Sequence, residues 1–220
     1  MSAIEALERR ATLLGEEPDS DKLQIITNLR RAKELDGPYE PRGSLNAWEE
    51  VLRAEVQDST AVASTASETI LVPNVTLPAR YLVTGRALRA TVRGRYGTTG
   101  TPTIIFRQRI GGLAGALAAA SSTYTTPSGV TTVPFELVFD VVVRSYGRST
   151  AGTVFTMGRF QLTTAAPNTL AQQLIPATAP AVSAGFDSEA AQDFAVTVQW
   201  GTSNASNTIT AHQYILESLN

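Results

Sequence analysis

The last two predicted strands decide the fold: FAVTVQW at 194–200 and TITAHQYILE at 208–217, joined by GTSNASN at 201–207. In the first, large apolar residues alternate with small or polar ones, and the second alternates in the same way. Alternation with a period of two is typical of an antiparallel strand with one buried face. The pattern therefore predicts a hairpin that closes an all-β domain. The predicted core positions of its first strand are Phe194, Val196, Val198 and Trp200.

Strands of the same kind recur through most of the preceding chain. The loop at 97–102 predicts a second hairpin, between strands at 86–96 and 103–110. A chain of roughly eight or nine short strands without helices between them predicts a mainly β fold, an antiparallel β-sandwich. A jelly roll is the expected topology and an immunoglobulin-like sandwich is the competitor. The other predicted strands lie at 60–65, 68–72, 113–119, 134–144 and 153–164, with partial order at 170–175.

Charge divides the chain of 220 residues into two segments that meet near residue 58. Residues 1–58 hold 8 basic and 13 acidic residues, a net charge of −5, whereas residues 59–220 hold 10 and 7, a net charge of +3. The second segment is rich in Thr, Ser, Ala and Val, as β-proteins are. We therefore predict an N-terminal docking arm at 1–58 and a β-sandwich domain at 59–220.

Apolar residues at three- and four-residue spacing predict that the N-terminal segment is helical. Short helices are expected at about 2–14, 22–35 and 45–56. Helices of this length are marginal in water, so they need a partner: the chain's own sandwich, another copy of the chain or a different protein. The candidate contact residues are Ile4, Leu7, Leu14, Leu23, Ile26, Leu29 and Trp48.

Five arginines on the predicted hairpin strands form the one notable charge cluster. They suit contact with an acidic partner surface or an anionic glycan, or they lie on a solvated strand face, the default position of arginine. Nucleic acid is disfavoured, because the net charge is −2 and no aromatic residues interleave with the arginines as stacking platforms. A further possibility is that the arginines pair with the face formed by Glu136, Asp140 and Arg144 on a neighbouring copy, which would give a symmetric oligomer. The five arginines are Arg89, Arg93, Arg95, Arg107 and Arg109.

No catalytic set and no cofactor or metal site can be named from the residues. The chain has no cysteine, and its one histidine, His212, lies within a strand without a G-x-S-x-G elbow. Glu136 and Asp140, on one strand, would lie about 13 Å apart, too far for the carboxylate pair of a glycosidase. The glycines at 94, 97 and 100 open no helix, so a turn is expected there and not a phosphate-binding loop. We expect a non-enzymatic protein without a membrane segment, since no apolar run reaches 18 residues.

Two stretches, GRYGTTGTPTIIFRQRIGG at 94–112 and TVQWGTSNASNTITAHQYILESLN at 197–220, resemble a known family. They are similar to the C-terminal β-domain of virion structural proteins from tailed bacteriophages, especially those of actinobacteria, and the resemblance covers 59–220. It implies a jelly roll assembled as a homotrimer and located in the virion. It implies no catalytic residues.

The resemblance leads to two hypotheses of function. The first is a trimeric capsid decoration (cement) protein or minor capsid protein, whose arm contacts the major capsid protein or another virion protein. The alternative is a tail-fibre tip or receptor-binding protein whose loops recognise glycan on the host cell surface. A capsule-degrading enzyme ranks third.

Overall fold

The computed structural model describes residues 50–164, 169–178 and 182–220. Within these ranges the chain forms twelve β-strands and no helix. The mainly β, antiparallel character predicted from the sequence is thereby confirmed for the described part of the chain. In chain order the strands are β1 (Glu50–Glu55), β2 (Thr69–Ile70), β3 (Val75–Leu77), β4 (Ala87–Gly97), β5 (Thr103–Ile110), β6 (Ala116–Ala120), β7 (Tyr124–Thr125), β8 (Val133–Ser145), β9 (Thr153–Thr163), β10 (Leu170–Ile175), β11 (Gln192–Trp200) and β12 (Thr208–Ser218).

The strands make two sheets whose apolar faces pack on each other. Sheet A has the order β1-β12-β4-β8-β9-β10, and sheet B has the order β2-β11-β5-β6, with β3 paired to β11 and β7 to β5. Across the interior, the Phe106 ring of β5 lies 6.3 Å from Phe135 of β8 and 5.4 Å from Phe160 of β9, measured between centroids. The jelly-roll topology is not confirmed, because β8, β9 and β10 follow one another as a meander within sheet A.

Neither predicted hairpin forms, because β11 and β12 lie in different sheets, and so do β4 and β5. Instead β12 pairs with β4, with Thr208 opposite Gly97, and β11 pairs with β5, with Trp200 opposite Ile104. The loop from β4 to β5 is five residues long, and the loop from β11 to β12 is seven residues long. Such loops do not enforce a hairpin as two-residue turns do, and they span the roughly 10 Å between packed sheets.

The four residues of β11 that the alternation assigns to the core are buried, but Ala195 and Thr197 on the opposite face are fully buried too, so β11 is covered on both faces and not on one. Phe194, Val196, Val198 and Trp200 are fully buried. The indole N–H of Trp200 donates to the carbonyl of Val62 at 3.2 Å, so the polar atom of this large side chain is satisfied inside the core.

The third predicted helix, at about 45–56, is wrong for residues 50–55, which form β1. This strand pairs with β12 from Glu50 opposite Ser218 to Glu55 opposite Tyr214, and an isolated bridge joins Val62 to Ile209 further along β12. Without these partners β12 would be an unpaired edge, and satisfying its backbone groups outweighs the weak preference of a short helix. The helices predicted before residue 50 lie outside the described residues, and the domain boundary at 58/59 stays a prediction.

Replacing Trp200 by Ala should lower the free energy of unfolding by about 3–5 kcal/mol, the cost of truncating a core aromatic side chain. Val56, which is 88% exposed, provides the matched control, and Val56→Ala should change stability by less than about 0.5 kcal/mol. Urea denaturation followed by circular dichroism measures both values. Similar small losses for the two variants would contradict the burial of Trp200.

Removal of residues 1–58 should destabilise the sandwich more than removal of residues 1–49. The longer truncation takes away β1 and with it Leu52, which packs against the core. The free energies of unfolding of the two truncated proteins should therefore differ by about 2 kcal/mol. Urea denaturation of the two truncated proteins measures the difference. Equal stabilities would show that β1 adds nothing to the sandwich and would favour a boundary at residue 58.

Candidate functional site

Three short loops cross from one sheet to the other at the same end of the sandwich, beside the longer crossing at 56–68, where the N–H of Ser64 donates to the carbonyl of Asn204 at 3.2 Å. They are residues 98–102 between β4 and β5, 126–132 between β7 and β8, and 201–207 between β11 and β12. The strand registers place them side by side, since Gly97 lies opposite Thr208 and Tyr96 lies opposite Val133. We call these three loops together the loop end.

The loop end is rich in hydroxyl and amide groups and contains no charged residue. Residues 201–206 are all exposed, as are 99–101, 128–129 and 131–132. Hydroxyl groups both donate and accept hydrogen bonds, and carboxamides present two donors beside an acceptor. The three loops therefore offer uncharged donors and acceptors, with the guanidinium of Arg95 at their border, where it donates to the carbonyl of Thr132.

Buried polar side chains hold the three loops to one another. The backbone N–H of Thr98 donates to the carbonyl of Val130 at 2.8 Å, and its hydroxyl donates to the carbonyl of Pro127 at 2.6 Å. The side-chain oxygen of Asn207 accepts from the N–H of Thr99 at 3.0 Å. Thr98 and Asn207 are both buried, so these bonds fix the loops without using the exposed hydroxyl groups.

Two further features explain the local backbone at this end. The N–H and the hydroxyl of Thr126 both donate to the carbonyl of Pro102, at 2.9 and 2.7 Å. Gly100 has a φ of 65°, in the left-handed region that favours glycine. Gly94 lies within β4, where a Cβ would stand 2.0 Å from the carbonyl oxygen of Thr210. Gly100 thus serves a turn, and Gly94 allows a close approach of two strands. The element that follows them is the strand β5, whereas a phosphate-binding loop would be followed by a helix.

The five arginines predicted as partner contacts do not form one cluster. Because β4 and β5 lie in different sheets, one group stands on sheet A and the other on sheet B. In both strands the arginines alternate with buried residues, so each group lies on the outer face of its sheet. Arg89, Arg93 and Arg95 belong to sheet A, and Arg107 and Arg109 belong to sheet B.

On sheet A, the carboxylates of Glu136 and Asp140 pair with arginines of their own chain. Arg89 Nε lies 2.6 Å from Asp140 Oδ1, and Arg93 Nε lies 2.7 Å from Glu136 Oε2. Arg95 donates to the carbonyl of Thr132 at 2.7 Å. Exposed pairs of this kind contribute about 0–1 kcal/mol each. Pairing with a neighbouring copy would first have to break them, and a role of these arginines in partner contact stays a prediction.

On sheet B, Glu68 joins both arginines to β11. Arg109 donates from Nε and Nη2 to the two Glu68 oxygens at 2.6 and 2.9 Å, and the hydroxyl of Thr197 donates to Oε1 at 2.6 Å. Arg107 Nη1 lies 3.4 Å from Glu68 Oε2. Burial raises the pKa of Glu68, but the hydrogen bonds from Arg109 and Thr197 and the charges of Arg107 and Arg109 outweigh it, so its pKa falls below 4.5. These contacts bind the segment before β2 to the face of sheet B.

His212 and the acidic side chains of the described residues form no candidate metal site. His212 occupies a bulge in β12, and its Nδ1 lies 2.8 Å from Asp58 Oδ1, both side chains being substantially exposed. Within the described ranges, no group of three His, Cys, Asp or Glu side chains is placed to hold a metal ion. The same ranges contain no helix long and apolar enough to cross a membrane.

The predicted contacts of the N-terminal arm lie outside the described residues, so their docking role stays a prediction. They are Ile4, Leu7, Leu14, Leu23, Ile26, Leu29 and Trp48. The loop end, by contrast, was missed from the sequence. Its one signal in the sequence is the shared composition of residues 98–102, 126–132 and 201–207, which are rich in Thr, Ser, Gly and Asn. This composition does not show that the three loops are neighbours, because that depends on which strands belong to which sheet.

The comparisons with known proteins leave the family open. No protein-family model matches the chain, and no curated protein matches it. Among solved structures, the chain is similar to the CBM2 module of the evolved Dit of Lactobacillus casei BL23 phage J-1. The identity is 13%, the match covers 74% of this chain and 76% of that chain, and the TM-score is 0.34. A likeness of this size assigns no function.

Replacing Glu68 by Gln should lower the free energy of unfolding by about 2–3 kcal/mol at pH 7, because charge-assisted hydrogen bonds are lost. The folded pKa lies below the ordinary value, so ionised Glu68 stabilises the fold above about pH 4.5, and this contribution is lost as the pH falls through the folded pKa. The difference between the two proteins should therefore shrink below that pH. Urea denaturation at a series of pH values tests this.

Glu189→Gln is the control for this comparison, since Glu189 pairs with the 78% exposed Arg148, where solvent screens the charges, and should change stability far less than Glu68→Gln. If the effect of Glu68→Gln were equally small or independent of pH, the role assigned to Glu68 would be wrong.

Proposed function

We propose that this protein is a non-enzymatic structural component of a phage virion and that its loop end binds neutral glycan on the surface of the host cell. The observation that carries the proposal is the loop end itself: three adjoining loops that are uncharged, rich in hydroxyl and amide groups, and cross-linked by buried polar side chains.

Recognition of a neutral sugar depends on hydrogen bonds to its hydroxyl groups, which act as both donors and acceptors. Exposed Thr, Ser and Asn side chains present both functions, whereas a charged surface would favour ionic ligands. The bonds from Thr98, Thr126 and Asn207 hold the loops in place before binding. A preformed site loses less conformational entropy when a ligand binds, which favours affinity.

The virion setting rests on the resemblance of residues 94–112 and 197–220 to β-domains of phage virion proteins. These two stretches contain the loops 98–102 and 201–207, so the resemblance and the candidate site coincide in the chain.

Capsid decoration is the competing function, with docking of the N-terminal arm to the major capsid protein. It depends on residues 1–49, a jelly-roll topology and a homotrimer. No observation on the described residues favours it over glycan binding. It remains a hypothesis whose test is the position of the protein in the virion.

The purified full-length chain should bind a neutral oligosaccharide on a glycan array, and Ser203→Arg or Ser128→Arg should weaken that binding at least 10-fold. Both serines are exposed in the loop end, so a long charged side chain blocks the surface without disturbing the core. Ala190→Arg provides the control: Ala190 is exposed ahead of β11, at the opposite end of the sandwich, and this variant should bind as the unmodified protein does. Thermal unfolding verifies that all variants are folded.

Binding that is unchanged in the loop-end variants would rule out this site, and failure to bind any neutral glycan would rule out the function. Binding confined to anionic glycans would instead favour the arginines of sheet A or sheet B. Labelling of the protein in intact particles distinguishes the competing hypothesis, since a position on the capsid shell would favour decoration.

A further inference from the structure

The two edge strands of sheet A differ in the protection of their free edges. β1 carries Glu50, Arg53 and Glu55 and is interrupted by a bulge between Val51 and Arg53. β10, with the sequence LAQQLI, carries no charge, and its register with β9 is uninterrupted. Charges and bulges prevent an edge strand from pairing with a foreign strand, and an edge that lacks both is open to pairing.

The backbone groups at the free edge of β10 belong to alternate residues. The N–H of Thr164 donates to the carbonyl of Thr169, so Thr169 directs its polar groups towards β9. In an antiparallel ladder this direction alternates from residue to residue. Leu170, Gln172 and Leu174 therefore direct their N–H and C=O groups away from β9, towards an edge on which none of the described strands pairs.

These three residues form a self-complementary set. If two such edges pair in antiparallel orientation, with Gln172 opposite Gln172 of the second copy, then Leu170 lies opposite Leu174 of the second copy. Leu174 in turn lies opposite Leu170 of the second copy. All the paired residues then present their backbone groups to each other, so each pair exchanges two N–H···O bonds. If the register shifted by one residue, each residue whose backbone groups point to the edge would lie opposite a residue of the second copy whose backbone groups point back to its own β9, and the hydrogen bonds would be lost.

We propose that β10 pairs in this register with β10 of a second copy, forming a two-fold symmetric dimer in which sheet A continues from one chain into the other. Such isologous interfaces are the commonest in soluble homo-oligomers. The proposal does not rest on the glycan-binding function, because it uses only the edge and the outward side chains of β10.

The outward side chains agree with this pairing. Leu170 and Leu174 are 60% and 67% exposed on the free sheet, and in the dimer each covers the other. The side-chain amide of Gln161 on β9 lies 3.3 Å from the Gln172 oxygen, so the dimer extends this contact into a row of four glutamines across the two-fold axis. No charged residue lies on either β10, so the pairing opposes no like charges.

Self-complementarity and neutrality select a second copy as the occupant of this edge. A strand of another protein, or of residues 1–49, would satisfy the same backbone groups but would not require the symmetric placement of Leu170 and Leu174 about Gln172. The paired segment is six residues long, so we expect an interface smaller than the roughly 1,200–2,000 Å² of standard stable complexes. We therefore expect dimerisation that depends on concentration in the micromolar range.

Sedimentation equilibrium of the full chain over a range of concentrations tests the proposal. A monomer–dimer equilibrium is expected, and Leu174→Lys should weaken it at least 10-fold by setting a charge against Leu170 of the second copy. Val51→Lys is the matched control, because Val51 is a 57% exposed residue on the other edge strand of the same sheet and should leave the equilibrium unchanged. Monomer at all concentrations, a trimer, or a dimer insensitive to Leu174→Lys would overturn the proposal.

The register is tested by mixing two variants. Leu170→Glu alone and Leu174→Lys alone should each be mainly monomeric. An equimolar mixture should form a heterodimer, because the new acidic and basic side chains then face each other across the axis while the remaining leucines stay paired. Thermal unfolding of each variant verifies the fold. Failure of the mixture to dimerise, with both variants folded, would overturn the proposed register.

Discussion

The pairing of β12 with β4 and of β11 with β5 is the constraint on which the rest of the structure depends. These strands come from two stretches far apart in the chain, and each stretch contributes one strand to each sheet. Their inner faces carry several of the largest fully buried side chains, among them Tyr96, Phe106, Phe194 and Trp200. Burial of apolar surface is the dominant favourable term in folding, so neither sheet is complete until the two stretches meet.

The same crossovers separate two kinds of polar surface. On the outer faces, charged residues pair with each other along the strands, as Arg93 does with Glu136 and Arg109 with Glu68. The loops of the loop end contain no charged residue, and buried hydroxyl and amide groups satisfy the backbone where the chain passes between sheets. A loop that crosses two sheets exposes carbonyl and N–H groups that no strand can pair, which explains why Thr98 and Asn207 are buried there.

Sequence reasoning succeeds in this protein where the signal is local, and it fails where the signal depends on a distant partner. The alternation at 103–110 and 194–200 predicts β5 and β11 closely, since the direction of successive side chains is a property of the strand itself. The spacing of Trp48, Leu52 and Val56 suits a helix, yet residues 50–55 form a strand because the edge of β12 requires a partner. The candidate site was not predictable for the same reason, since its loops meet only through long-range pairing.

The sequence by itself determined that this is an antiparallel β-protein, that Trp200 belongs to its core and that the arginines of β4 and β5 point outward. Periodicity of two decides all three, because it assigns each side chain to a face. Only the tertiary structure decided which strands are neighbours, and hence that Arg93 and Arg107 stand on opposite faces of the sandwich. Loops of five and seven residues can close a hairpin or cross between sheets, and the choice is made by which apolar faces cover each other.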